Sequence, residues 1–156
     1  MLKSVTLIAP LIVAMAVPAF AVDPNNPSAA PKPALDQLRE ESRLAKKAAL
    51  DLAAMLKSKN ADLSRAAEQI SAVEKSHQTI KQLMGQLEAE AAQWDARRQA
   101  SFEHARKVAD VLSIFVDNKK NLAQDGIDHK ERETLRMQAT GVAQRAELLE
   151  KTLSKL

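Results

Sequence analysis

From Ala34 onward, apolar residues recur at alternating spacings of three and four, the pattern of helices that each bury one stripe. In the first run Leu35, Leu38, Ser42, Ala45, Ala49, Leu52 and Leu56 share a stripe, which predicts a helix near 35–58. Ser58-Lys59-Asn60-Ala61-Asp62 interrupts it, with Asn60 or Asp62 placed to cap the next helix. The second run is the most regular. Leu63, Ala66, Ile70, Val73, His77, Ile80, Met84, Leu87, Ala91 and Trp94 keep the spacing without a slip, and only His77 breaks its apolar character. Past Trp94 the stripe meets Arg98 and Ser101, then resumes as a broader face of Phe102, Ala105, Val108, Ala109, Leu112, Phe115 and Val116. A broad face suits a bundle core, whereas a narrow stripe suits a two-helix seam.

This second pattern predicts a helix from 62 to about 120 that weakens through Asp117, Asn118 and Asn121 and stops at Gln124-Asp125-Gly126. Glycine supplies the left-handed backbone that commonly ends helices. Asp128 followed by Glu131 then reads as a capping box, opening a third helix near 128–155 with Leu135, Ala139, Val142, Ala146, Leu149, Leu153 and Leu156 on one stripe.

The fold class is therefore all-α: long antiparallel helical hairpins, or a coiled-coil-like bundle of three helices. At 1.5 Å per residue the outer helices would be about 36 and 42 Å long, and an unbroken middle helix near 90 Å. The lengths favour an extended form in which the first and third helices lie end to end along the middle one. Its stripes would be half covered, which implies self-association into a homo-oligomer. The alternative is a break between Gly85 and Arg98, giving a compact bundle of four helices.

The chain ahead of the helices has a different character. Met1-Leu2-Lys3 is a short positive start, Ser4 to Ala21 carries no charge, and Ala19-Phe20-Ala21 is a small-x-small exit. Residues 1–21 thus read as a signal peptide cut after Ala21, which would place the protein in the periplasm or outside the cell. Pro10 and Pro18 inside the run disfavour the alternative, an uncleaved membrane anchor. Residues 22–33 hold Pro24, Pro27, Pro31 and Pro33 among Asn25, Asn26 and Ser28, the composition of an extended tether. The helical domain then spans 34–156.

Composition narrows the chemistry. There is no Tyr, one Trp and three Phe, and helix-favouring residues dominate. With no cysteine anywhere, disulfides, thiolate metal sites and c-type haem attachment are excluded. Without Lys3 the net charge is about +2, too small to argue for nucleic acid. No nucleophile elbow, phosphate loop or cofactor motif is present, so the chain reads as a non-enzyme with no cofactor.

Three local patterns carry candidate chemistry. Glu74 and His77 stand at the Glu-x-x-His spacing that metal-binding bundles use, but neither His104 nor His129 has such a partner. His77 reads better as a residue that sets helix register or responds to pH. A calcium loop around Gly126 fails, because Ala123 offers no ligand and Arg132 has the wrong charge. Basic pairs occur at Lys46-Lys47, Arg97-Arg98, Arg106-Lys107 and Lys119-Lys120. Trp94, Arg97, Arg98, Phe102, Arg106 and Lys107 together form the candidate partner-binding surface, since aromatic anchors beside arginines are the usual makeup of interaction hot spots. The partners expected are proteins of the cell envelope, with a membrane surface or cell-wall polymer as further candidates. In size, basic pI, export and helical content the chain is loosely similar to periplasmic holdase chaperones with helical arms, without their β-rich body. It is as loosely similar to helical subunits of conjugative secretion systems, with no shared motif. The functional expectation is an exported adaptor or chaperone-like module. A structural subunit of an envelope-spanning assembly is the main alternative, and a metal-binding bundle using Glu74 and His77 the lesser one.

Overall fold

The computed structural model describes residues 33–112, Leu122 and residues 126–156. These residues are all-helical, with no strand among them. Four helices follow in order: α1 (Ala34–Met55), α2 (Leu63–Ala91), α3 (Ala96–Asp110) and α4 (His129–Leu153). The signal and tether expected at 1–21 and 22–33 lie outside the described residues, apart from Pro33. So do Phe115, Val116 and the stop at Gln124-Asp125.

Local chemistry sets the helix starts. Pro33 precedes α1 with its carbonyl accepting from the Asp36 and Gln37 amides. Asp62, rather than Asn60, caps α2, its carboxylate accepting from the Arg65 amide at 3.0 Å. At α4, Asp128 and Glu131 close the expected capping box, with bonds of 2.7 and 3.0 Å. Gly126 stands at φ +75°, where a side chain would strain the backbone.

The single middle helix from 62 to about 120 is corrected: among the described residues it is two helices, broken between Gly85 and Arg98 as in the four-helix alternative. α2 ends at Ala91, and residues 92–95 turn the chain back. The turn needs no glycine or proline. Asp95 adopts an extended backbone, and its Oδ1 accepts the amides of Arg97 and Arg98, both at 3.0 Å, which starts a new helix. The Gln99 side-chain amide donates to the Ala92 carbonyl at 3.1 Å and ties the two ends together. α3 then runs antiparallel to α2, as cross-links between Arg106 and Glu88 and between Lys81 and Asp110 show.

α1 packs against both α2 and α4, and α3 against α4 and the second half of α2. Ion pairs Arg43–Glu150 (2.8 Å) and Lys46–Glu147 (3.6 Å) mark the antiparallel register of α1 and α4. These pairs are partly exposed to solvent and contribute little stability. The stability comes from two apolar clusters. One joins Leu38, Ile80, Leu87, Phe102, Leu112, Leu149 and Leu153 at the end that holds the α2–α3 turn. The other joins Leu52, Leu56, Ile70, Val73, Leu122, Leu135 and Val142 at the opposite end.

Among the described residues most of the stripe positions read from the sequence are core, widened by Ala48, Ala53, Leu83 and Ala143, while Leu35, Leu63, His77, Trp94 and Leu156 are partly buried. Ser42 and Thr152 are buried too, but their hydroxyls donate to the Leu38 and Leu148 carbonyls one turn back. Because the chain covers these stripes by folding on itself, half-covered stripes no longer supply a reason for self-association.

Gly85 lies inside α2, so it marks no break. A Cβ placed there would meet nothing within 4 Å. Gly85→Ala should therefore raise stability by about 0.5–1 kcal/mol, the helix-propensity difference, in a denaturant titration.

Candidate functional site

The turn at 92–95 gathers half of the predicted surface and scatters the rest. Trp94 is half-buried against the first apolar cluster. The Phe102 ring meets it edge-on, with centroids 5.6 Å apart and planes at 85°. The Arg98 guanidinium lies over the Trp94 ring, 3.9 Å from its centroid, in cation–π geometry. One turn of α3 places Arg98 and Phe102 on the same side, and the reversal brings Trp94 beneath them.

The structure separates these residues by role. Phe102 is only 2% exposed, so it anchors the core and offers no contact to a partner. Arg106 donates to Glu88 and Glu103, both at 2.9 Å, which occupies its guanidinium and holds its pKa above the ordinary value, chiefly through the Glu88 hydrogen bond. That leaves Trp94, Arg97, Arg98 and Lys107 of the predicted set able to meet a partner. Arg97 and Lys107 are exposed.

Two residues not singled out from the sequence join this end. Ser101 and Lys155 line a cleft of about 350 Å³ with Asp95, Arg97 and Arg98. Lys155 comes from the segment after α4, so its proximity is tertiary and no local spacing announces it. Close by, Arg39 donates to the Leu153 carbonyl at the end of α4, at 3.1 Å, where a cation complements the helix dipole. A neighbouring cleft of about 410 Å³ runs between α2 and α3 past Glu88, Gln99, Glu103 and Arg106.

His77 sits away from this end and joins α2 to α3. Its Nε2–H donates at 2.8 Å to the Ala109 carbonyl in the last turn of α3, which also accepts from the Leu112 amide at 3.2 Å. The bond ties His77 on α2 to the end of α3. Burial lowers its pKa below the ordinary value, with the Ala109 carbonyl and Asp110 pulling upward and Lys81 adding to the lowering. The folded state thus favours neutral imidazole, so the unfolded chain binds the proton more readily. Stability should fall as pH drops below the unfolded value of about 6.5 toward the lowered folded value. In His77→Gln that part of the slope should vanish, as thermal unfolding followed between pH 7 and pH 5 would show.

Metal binding through Glu74 and His77 would need further ligands. Among the described residues no three His, Cys, Asp or Glu side chains gather into a group that could hold a metal ion. Nor is any described helix long and apolar enough to cross a membrane.

No protein-family model, curated protein or solved structure matches the chain. The described residues define an all-helical fold whose helical hairpin carries a basic end anchored on a tryptophan.

Proposed function

We propose that the chain is an exported, non-enzymatic helical protein of the cell envelope, periplasmic in location, that acts by binding a partner protein or surface polymer as an adaptor or chaperone-like module. The export half of this reading is supported by the charged start, uncharged run and Ala19-Phe20-Ala21 exit of the first 21 residues. The binding half is supported by one observation. Trp94 is held under Arg98 at the tip of the α2–α3 hairpin, beside the exposed Arg97 and Lys155. A rigid aromatic body with adjacent guanidinium groups is well suited to recognition, because little side-chain freedom is lost on contact.

The test has two parts. The mass of the protein recovered from its native envelope should correspond to a chain beginning at Val22. A photo-cross-linker at position 97 should capture a partner there, and Trp94→Ala should reduce that capture several-fold. Retention of Met1–Ala21 in the cytoplasm would refute export. Capture unaffected by Trp94→Ala would refute this surface. Recovery in a fixed stoichiometry within a larger assembly would favour the alternative, a structural subunit.

A further inference from the structure

Resting on the reading that the Trp94 end is the contact surface, we propose that the cleft between Arg97, Arg98, Ser101 and Lys155 binds a phosphate monoester group. Three cationic side chains border the cleft, and Asp95 is its one carboxylate. None of the three forms an ion pair with a described residue, unlike Arg39, Arg43 and Arg106. The Asp95 oxygen is already engaged by the Arg97 and Arg98 amides. The Arg97 and Arg98 amides are therefore spent on the cap, and recognition falls to the side chains.

Charge selects among anions. With Asp95 set against the three cations, about two positive charges stay uncompensated, close to the charge of −1.5 to −2 on a phosphate monoester near neutral pH. A carboxylate would satisfy only half of that excess. Guanidinium forks match phosphate oxygens in paired hydrogen bonds, and the Ser101 hydroxyl adds a neutral donor. Stacking on Trp94 holds the Arg98 guanidinium in place before any ligand arrives, so less freedom is lost on binding. The cleft, about 350 Å³, leaves room for the group that bears the phosphate.

Trp94 is the sole tryptophan of the chain, so its emission reports on Arg98 directly. Inorganic phosphate titrated into the full chain at constant ionic strength should give a saturable change in that emission and broaden the phosphate resonance in phosphorus NMR. Vesicles of phosphatidylcholine with and without phosphatidic acid separate the sources. A response to phosphate alone marks a free or small phosphate ligand, and a stronger response to phosphatidic acid marks a lipid headgroup. In the Arg97→Gln/Lys155→Gln variant the dissociation constant should rise about tenfold or more, with the thermal midpoint unchanged because both side chains are exposed.

The proposal is overturned if neither probe changes emission or line width by about 10 mM phosphate, if acetate or chloride acts equally, or if the double variant binds as the parent does. Should it fail while Trp94→Ala still reduces partner capture several-fold, only the phosphate chemistry falls and the envelope-contact reading stands.

Discussion

Phe102→Ala should destabilise the protein by about 3–5 kcal/mol, the range for removing a buried aromatic ring. The ring is 2% exposed, meets Trp94 edge-on and packs in the cluster with Leu87, Ala105 and Leu149. Its removal takes away apolar contact from α2, α3 and α4 at once and leaves Trp94 without its neighbour. A partner-contact role for Phe102 predicts something different: weaker binding at unchanged stability. Urea unfolding followed by far-ultraviolet circular dichroism separates the two, and a loss below about 1 kcal/mol would return Phe102 to the binding surface.

Leu149→Ala should cost about 2–5 kcal/mol, while Leu148→Ala should stay within about 0.5 kcal/mol. The two leucines are adjacent in sequence and differ only in which side of α4 they occupy. Leu149 is fully buried in the same cluster as Leu38 and Ile80, whereas Leu148 is 44% exposed. The contrast tests how α4 is rotated against α1 and α3. Equal losses at both positions, measured by the same urea titration, would mean that α4 presents a different face.

Helix existence and facing were readable from the order of residues because local and tertiary preferences agree there. The stripe from Leu38 to Leu56 is buried as its spacing demands, and so is that from Leu135 to Leu153. Asp128 and Glu131 cap α4 as a four-residue pattern predicts.

The reversal at 92–95 was legible only as the alternative reading, for a physical reason. Eleven residues separate Ala91 from Phe102, almost a whole number of helical turns, so the apolar pattern resumes in phase across the turn. No glycine or proline marks the spot. The signals present were weaker: Asp95 ahead of Ala96 as a cap, and Arg98 and Ser101 falling where an unbroken helix would place core residues. The candidate surface was half legible for the same reason. Trp94 and Arg98 are close in sequence on either side of the Asp95 cap, so the short turn brings them together, and Arg97 stands exposed beside them. Phe102 belongs to the hairpin's inner packing and Arg106 to its cross-link with Glu88, both of which exist only once α3 folds back. Lys155 arrives from the far end of the chain.

The central claim is that the chain reverses at Trp94, because the core, the His77 bond and the basic cleft all depend on it. The absence of native cysteine allows a clean measurement: spin labels at Lys81→Cys and Asp110→Cys, with the distance read by pulsed electron paramagnetic resonance. In the hairpin the native side chains approach to 3.9 Å. The labels should then lie within about 20 Å, given helix axes about 8–10 Å apart and the length of the label arms. A single continuous helix would hold the two positions about 44 Å apart. A distribution centred near that longer distance would contradict the account, and one centred below about 20 Å is what it predicts.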